Sequence, residues 1–498
     1  MTRNYLYTIF FLLLIFSSLI LAGCRTIRPP STYKDTWTPT KYVLKKEVYK
    51  EDPWAEIEKR SPNLDTPLSL GDLLEISLQN SPDTKKAWYD TLKTSYQMKE
   101  AYSDYYPQVT LEATAKREKD ITKSQDITDP LNKKKKNIID DHSLYGPSAE
   151  LSLLLLDFGG RKAEKDKEVY ALIAQNFIFN QSIQDLVLDV ESAYYNLYSG
   201  YAFLDAAYAN KRDAEESYEL AKAKYNTGLA SKLDLYQSKA DLENSLYSLE
   251  NAKGELNIKK GRMAQVVGLR SDKNLQVDFP EKITVENINE ENVSDLIGKA
   301  LKLRPEIRAL RAQAQSTREE IASAFSNMLP NLNFGASAES SWYHYHPDAS
   351  ANVYQRNDRV QEYAGYFTVN WDIFDGFYHI NKKHEAEQNY ASIKSELEST
   401  ELSLTQEVWT KYNSYVTSMK KLEYAEAYLQ SAQISFELGL ESYKEGIKSM
   451  VDLLDAQSQL QNARSSLVSS ERDLFLAAIE LSHATGSLYP EQEIEQNR

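Results

Sequence analysis

Hydrophobic side chains recur about every 3.5 residues through two long segments of the chain, a spacing typical of helices that pack in coiled coils. The two segments share their apolar positions, because a shift of 218 residues places Leu186 on Leu404 and Tyr194 on Tyr412. Self-similarity at one fixed shift indicates a repeated unit. The pattern therefore predicts one structural unit present twice, each copy with long coiled-coil helices.

The turn inside each long segment is repeated as well. Gly228-Leu229 corresponds to Gly446-Ile447 at the same shift. Glycine tolerates the backbone conformations of tight turns, so each segment is predicted to be a helical hairpin with its tip at Gly228 or Gly446. Gly160 lies 68 residues before Gly228, which corresponds to about 100 Å of helix.

Each unit is also predicted to begin with two shorter helices. Pro82 and Pro305 are predicted helix starts, because proline suits the first helical position and Ser81 can cap the exposed amides of the first of them. The second helix of each unit is expected to run to Pro107 in one copy and Pro330 in the other.

The hydrophobic period changes to two in four shorter segments, which predicts strands with one apolar and one polar face. These segments are 109–116, 148–153, 331–339 and 367–373. The polar stretches 117–143 and 343–361 are predicted to be loops that face the outside. Such strands cross a bilayer only in a closed barrel, because lipid satisfies no backbone group. Four strands are too few, since single-chain barrels start at about eight, so closure is predicted to need three copies.

The N-terminus predicts export and a lipid anchor. Residues 1–23 contain a short apolar run that ends in small residues, which is typical of a signal peptide rather than a membrane-spanning helix. Cys24 is the only cysteine among the 498 residues, and Leu-Ala-Gly-Cys resembles the lipobox of bacterial lipoproteins. We expect lipidation of Cys24; an incidental cysteine in an ordinary signal sequence is the alternative. The next residue is Arg25 rather than an aspartate, which resembles lipoproteins that are released to the outer membrane instead of being retained at the inner one.

These features predict a mixed architecture of a membrane β-barrel plus a long α-helical coiled-coil barrel, in a trimer with four strands per protomer and 12 strands in all. The predicted segments are a signal peptide at 1–23, a lipid-anchored extended tether at 24–67, repeat 1 at 68–275 with its tip near 228–235, repeat 2 at 276–488 with its tip near 446–453, and a C-terminal tail at 489–498.

Composition argues against several classes of function. The chain carries 58 basic and 73 acidic side chains, a net charge of −15, whereas a nucleic-acid reader needs a basic surface. The histidines show no His-Glu-x-x-His spacing, and no phosphate-binding glycine loop is present. His344 and His346 lie two residues apart without a third ligand nearby. We therefore predict no enzyme, no catalytic residue, no cofactor and no metal site.

In combination, the paired helix starts, the glycine-containing segments Asp157 to Gly160 and Asp375-Gly376, and the doubled tip glycines resemble the TolC family of outer-membrane channel proteins over residues 68–488. With the lipobox, the chain is most similar to the lipoprotein members that serve efflux pumps. The resemblance implies a homotrimer in outer-membrane lipid whose barrel continues as a periplasmic tunnel. It also implies an exit channel of a tripartite efflux or secretion system, with a periplasmic adaptor and an inner-membrane pump as partners.

The resemblance further implies roles for residues at the hairpin tips. The implied sites are a periplasmic gate at Asp452 and Asp455, a hairpin latch at Tyr443, Lys448 and Asp234, and adaptor docking at the turns Gly228, Leu229, Gly446 and Ile447. Lys448 stands where the family carries an arginine, and Leu233 stands where it carries a hydroxyl residue. Because lysine lacks the planar fork of arginine and leucine accepts no hydrogen bond, the second contact of the latch departs from the family.

The residues leave two alternatives open, one for the role of Asp452 and Asp455 and one for the function of the whole chain. Asp452 and Asp455 are three positions apart and share a helix face, so both could simply solvate or cap the start of the return helix, where the dipole favours negative charge. The chain could also be a lipid-anchored periplasmic coiled-coil scaffold without a pore, although the four amphipathic strands then have no purpose. The motifs leave open the cargo, the gating trigger and whether the pump serves drug efflux, metal efflux or type I secretion.

Overall fold

The structure, a computed structural model, describes residues 67–125, 135–273, 275–280, 292–346 and 356–488. Side chains are described for all of these residues except 122–125, 135–139 and 356. The predicted signal peptide, Cys24, the predicted tether up to residue 66 and the predicted tail from 489 lie outside the described residues.

Short helices, strands and long helices alternate along the chain in the same order twice. In chain order the elements are α1 (Leu70–Asn80), α2 (Pro82–Ala101), β1 (Gln108–Gln125), β2 (Lys135–Leu156), α3 (Gly160–Asn226), α4 (Lys232–Val266), α5 (Val293–Leu303), α6 (Pro305–Ser326), β3 (Asn331–Tyr345), β4 (Arg356–Asn370), α7 (Tyr378–Lys444) and α8 (Met450–Ala484). None of the described helices is long and apolar enough to cross a membrane.

The long helices of the two halves have equal lengths. Helices α3 and α7 have 67 residues each, and α4 and α8 have 35 each. Both pairs begin 218 residues apart, at Gly160 and Tyr378 and at Lys232 and Met450. A helix of 67 residues spans about 100 Å, which agrees with the length predicted for the hairpins.

The short helices begin where the sequence predicts. Helix α2 starts at Pro82, and the Ser81 side chain accepts a hydrogen bond from the Thr84 amide. Helix α6 starts at Pro305 without a side-chain cap from Arg304. Because the proline ring already has a helical φ and has no amide hydrogen to satisfy, the second start is possible without a cap. The helices end before Pro107 and Pro330, at Ala101 and Ser326.

The four strands form one antiparallel sheet in the order β1-β2-β3-β4. The strands are longer than predicted: β1 and β2 have 18 and 22 residues, so the predicted loop over 117–143 is wrong at 117–125 and 135–143. The predicted loop over 343–361 likewise overlaps the ends of β3 and β4. Backbone pairing continues past the apolar segment, because ladder hydrogen bonds do not depend on side-chain polarity.

The predicted end of the fourth strand is also corrected. Strand β4 ends at Asn370, whereas the alternation of apolar residues suggested an end at Ile373. Trp371 Nε1 donates instead to the backbone oxygen of Met328, 3.2 Å away. This bond joins the end of β4 to the segment before β3, and the chain then turns towards α7.

The passage from strand to long helix uses the same backbone conformation in both halves. Phe158 and Gly159 have φ values of 51° and 98°, and Gly376 and Phe377 have φ values of 70° and 69°. Two successive left-handed residues are unusual, and for a bulky residue this region is unfavourable. The glycine and the phenylalanine exchange places between the halves, so the geometry of the junction is kept although the residue at each position differs.

An aspartate satisfies the first amides of each long helix. Asp157 accepts hydrogen bonds from the backbone of Gly159 and Arg161, at 3.3 and 2.6 Å. Asp375 accepts from the backbone of Tyr378 and His379, at 3.1 and 2.8 Å. These carboxylates occupy the positive end of the helix dipole, and they are the reason why the Asp-Phe-Gly and Asp-Gly motifs precede the helices.

Buried apolar side chains form three clusters. Val190 and Met263 lie in the first cluster, and Val408 and Leu481, at the same shift of 218, lie in the second. These two clusters hold each hairpin together with its short helices. Each such side chain contributes about 1.5–3 kcal/mol when fully buried. The third cluster combines Ala221 of α3 with residues of α7 and α8, so it joins the two hairpins near their tips.

Candidate functional site

Both hairpin tips have the same backbone design. Gly228 and Gly446 have φ values of 78° and 76°, and the amides of the next residues, Leu229 and Ile447, each donate to a carbonyl five residues earlier at 2.8 Å. This is the left-handed helix end that glycine favours. The predicted tip residues therefore all lie in the turns between α3 and α4 and between α7 and α8.

The turn of each tip exposes a large apolar side chain. Leu229 is 78% exposed and Ile447 is 76% exposed. Exposed apolar residues at a turn offer a small contact surface to a partner. Docking of an adaptor at these two residues stays a prediction.

The start of each return helix has a capping box. The Ser449 side chain accepts from the Asp452 amide at 3.3 Å, while Asp452 accepts from the Ser449 amide at 3.0 Å. Ser231 and Asp234 form the same pair in the first hairpin, with both distances at 3.1 Å. These serines were not among the predicted site residues, although the Ser-x-x-Asp spacing signals the motif.

The two predicted gate residues differ in their surroundings. Asp452 caps α8, and the hydrogen bonds from Ser449 lower the pKa of its carboxyl below the usual value. Asp455 lies one turn further and accepts from the Gln459 side chain at 3.1 Å. Both carboxylates are exposed in the protomer. Asp452 is therefore a helix cap, and its ionised carboxylate also remains accessible to solvent; the gate assignment stays a prediction.

The structure brings together part of the predicted latch. Tyr443 is buried, and its phenol has a raised pKa because of burial first and the nearby Asp234 second. Among the described residues its hydroxyl has no hydrogen-bond partner. Lys448 Nζ lies 4.0 Å from Asp452 Oδ1, within its own hairpin. Tyr443 and Asp234 are thus close without a direct bond, and the latch stays a prediction.

A lysine that the sequence analysis did not single out joins the hairpins beside Tyr443. Lys224, in the last turn of α3, donates to the Tyr443 backbone oxygen, and its ammonium lies 4.5 Å from the centre of the Tyr443 ring. Cation–π contact of this kind adds about 0.5–2 kcal/mol. No sequence signal identifies a pair more than 200 positions apart, because the contact depends on how the halves pack.

Buried polar contacts join the hairpins further from the tips. Ser217 of α3 donates to Gln457 of α8 at 2.8 Å, and Gln457 donates to Asp241 of α4 at 2.5 Å. Burial raises the pKa of the Asp241 carboxyl, and the bond from Gln457 opposes that rise. Because buried polar groups are costly when unpaired, this chain of bonds restricts the relative positions of three helices.

The sheet has two chemically different faces. Register and alternation place Leu111, Ala149, Ala336 and Phe367 on one face, here called the apolar face, and Leu111 is 80% exposed in the protomer. The opposite face, here called the acidic face, carries most of the carboxylates of the sheet. Its described carboxylates are Glu112, Glu118, Asp120, Asp140, Glu150, Glu339, Asp358 and Glu362.

His344 and His346 lie on the apolar face at the end of the sheet away from the helices. Their rings are 5.1 Å apart, and each pairs with a neighbouring strand: His344 Nδ1 lies 2.6 Å from Asn357 Oδ1 and His346 Nε2 lies 3.0 Å from Ser143 Oγ. Within the described part of the chain no group of three or more potential ligands could hold a metal ion.

An amphipathic sheet with open edges, continued by helical hairpins of about 100 Å, defines a subunit of an outer-membrane channel with a periplasmic helical tunnel. The chain belongs to the outer membrane efflux protein family, whose model matches residues 73–269 and 296–487. The predicted resemblance to the TolC family is thereby confirmed. So are the predictions of an outer-membrane location and of an exit channel for efflux or secretion.

Individual relatives agree with this assignment. Outer membrane protein TolC of Escherichia coli strain K12 is 23% identical over 418 residues, 82% of this chain and 80% of TolC. The alkaline protease secretion protein AprF of Pseudomonas aeruginosa is 21% identical over 348 residues, 70% of this chain and 71% of AprF. The solved outer-membrane channel OprN has a TM-score of 0.70 at 18% identity, covering 84% of this chain and 90% of its own.

Proposed function

We propose that three copies of the chain close a 12-stranded barrel in the outer membrane and continue it as a helical tunnel into the periplasm. One observation carries the proposal: the four-stranded sheet has two open edges, β1 and β4, and an exposed apolar face. In lipid every backbone group needs a partner, so sheet edges have to close. Three copies bring the strand number within the range of known barrels, which start at about eight.

The equal helix lengths support a chain of two repeats. We assign repeat 1 to 68–275 and repeat 2 to 276–488, after a signal peptide at 1–23 and a lipid-anchored tether at 24–67, with a tail at 489–498. Each protomer then contributes two hairpins to the tunnel wall, and the six tips of a trimer meet at the periplasmic end.

The tips are the proposed contact with the rest of an export system. A periplasmic adaptor binds the turns at Leu229 and Ile447 and connects the tunnel to an inner-membrane pump. Movement of the hairpins, held by Lys224, Tyr443 and Asp234, opens the entrance between the Asp452 and Asp455 carboxylates. Membership of the outer membrane efflux protein family and similarity to the alkaline protease secretion protein AprF support efflux substrates and secreted proteins as cargo classes. The protein transports its cargo and has no catalytic role.

The assembly state and the conductance of the purified full chain test this function together. We expect a detergent-resistant trimer by light scattering and a small single-channel conductance after insertion into a planar bilayer. A monomer that binds vesicles through its lipid but never conducts would support the scaffold alternative and contradict the channel.

Lipid anchoring is tested at Cys24, the only cysteine of the chain. Clickable fatty acid fed to cells should label the wild-type protein and leave Cys24→Ser unlabelled. Since the barrel also holds the protein in the membrane, Cys24→Ser should still insert if it is exported. Equal labelling of both proteins would show that the anchor is assigned wrongly.

A further inference from the structure

The outer end of the sheet, away from the helices, carries opposite charges on its two faces. From the row of Tyr145, Trp342 and Arg359 outwards, the described side chains of the apolar face include three cations and one carboxylate: Arg117, Lys119, Arg359 and Asp141. Over the same rows the described charged side chains of the acidic face are one lysine and four carboxylates: Lys116, Glu118, Asp120, Asp140 and Asp358. The described charges at this end of the sheet are therefore separated by face, with an excess of cations on the apolar face.

The cations lie at the level where a membrane surface would be. On β3 the apolar face runs from Leu332 to Trp342, which is about 33 Å along a strand and about 25 Å along the membrane normal at a tilt near 40°. This equals the height of the apolar band of outer-membrane barrels, about 25 Å. Tyr145 and Trp342 then form the outer aromatic girdle, and Arg117 and Lys119 follow directly above it.

The contacts of these side chains keep them available. Arg359 lies over the Trp342 ring, 5.3 Å from its centre. Arg117 and Lys119 both approach Asp141, at 3.1 and 3.6 Å. Their side chains remain 63% and 51% exposed, whereas that of Asp141 is only 11% exposed. Asp141 therefore positions two cations at the surface without neutralising both.

The cations also sit at the two edges of the sheet. Arg117 and Lys119 belong to β1 and Arg359 belongs to β4, the outermost strands of the order β1-β2-β3-β4. In the closed barrel of the proposed function, β1 of one protomer adjoins β4 of the next. All three cations of a site then meet at the seam between protomers, and a monomer has no complete site.

We infer that each seam binds the phosphate groups of a phosphorylated lipid headgroup in the outer leaflet, with Arg117 and Lys119 of one protomer and Arg359 of its neighbour as ligands. The inference rests on the proposed trimeric barrel. Arginine matches phosphate with paired hydrogen bonds, and basic clusters at a membrane surface bind anionic headgroups. The lipid thereby bridges neighbouring protomers.

The test uses full-length trimers in dodecyl maltoside and titrates diphosphoryl lipid A, with bound lipid counted by native mass spectrometry. Asp141→Asn removes the one carboxylate of the site and should tighten binding about fivefold, as expected for one charge at a membrane surface. Asp120→Asn removes one carboxylate from the opposite face of the same end of the sheet and should change binding less than twofold. Raising NaCl to about 1 M should remove the difference, since salt screens exposed charges.

A loss-of-function variant completes the test. Removing the cations alone would leave Asp141 without its partners, so the variant combines Arg117→Gln, Lys119→Gln, Asp141→Asn and Arg359→Gln. We expect its binding to weaken by about 25-fold, because three cations are lost at about fivefold each and the loss of the carboxylate restores about fivefold. Lipid A without phosphates should bind the wild type as weakly as diphosphoryl lipid A binds the variant. Free inorganic phosphate should displace diphosphoryl lipid A from the wild type only at a concentration far above that of the lipid.

Conductance of each variant in planar bilayers separates the two hypotheses. A fourfold variant that conducts normally but binds lipid A like the wild type would overturn the seam site and leave the channel standing. Equal tightening by Asp141→Asn and Asp120→Asn would overturn it too. A wild-type chain that forms no trimer and no pore would overturn the proposed function and, with it, the site.

Discussion

Leu111→Arg should abolish assembly of the proposed trimeric barrel in a bilayer. Leu111 lies on the apolar face in the row of Ala338, near the middle of the band between Leu332 and Trp342. A charge at the lipid-facing midplane of a barrel costs about 2–4 kcal/mol. With three copies per trimer the cost is about 6–12 kcal/mol, which is comparable to the whole stability of a typical domain. Refolding into vesicles, followed by gel analysis of unheated samples, measures the yield.

Thr110→Arg is the matched control for this prediction. Thr110 is the preceding residue, lies on the acidic face and is paired with Glu150. An arginine there meets water and a carboxylate, so assembly should stay close to that of the wild type. Equal yields for Leu111→Arg and Thr110→Arg would mean that the two faces of the sheet are assigned the wrong way round or that the sheet does not meet lipid.

The second large effect is expected at the periplasmic entrance. If three protomers bring Asp452 and Asp455 around one axis, six carboxylates share a narrow opening, where polyvalent cations should bind. A trivalent cation added on the periplasmic side should block the wild-type pore. Asp452→Ala with Asp455→Ala should weaken the block by on the order of a hundredfold or more. One ion pair at about 4 Å contributes about 1 kcal/mol even in water, and the double variant removes all six carboxylates that act on the cation.

Ser449→Ala separates a gate from a helix cap. The serine and Asp452 form one capping box, and loss of the hydroxyl costs about 1 kcal/mol of helix stability while both carboxylates stay in place. The gate hypothesis expects normal block in Ser449→Ala and the strongly weakened block described above in the double aspartate variant. Suppose instead that Ser449→Ala and the double aspartate variant both lower helix stability, and that the cation blocks the double variant as well as the wild type. Asp452 and Asp455 then serve the helix only.

The sequence predicted the long helices almost to the residue, whereas the short helices before the strands end several residues before the predicted prolines. The long helices were readable because an apolar period of about 3.5 residues runs unbroken between Gly160 and the tip turn, and because the second copy repeats it. The tips were readable because Gly228 and Gly446 are needed for their positive φ. In these regions local preference and packing require the same residues.

The strands were harder to predict at their ends. Residues such as Arg117 and Lys119 interrupt the apolar alternation, so the pattern suggested a loop although pairing continues to Gln125. Side-chain polarity reports the environment of a strand, whereas its length is decided by backbone pairing with the neighbour. The contact between Lys224 and Tyr443 was invisible for a related reason: it exists only once two distant hairpins have packed.

The equal helix lengths restrict how the tunnel can change in evolution. Helices α3 and α7 share 67 residues, and α4 and α8 share 35. A deletion in one half alone would shorten its tip by about 1.5 Å per residue, and neighbouring tips would no longer end in one plane. Insertions and deletions should therefore be inherited in pairs, about one heptad at a time, at sites separated by half the gene.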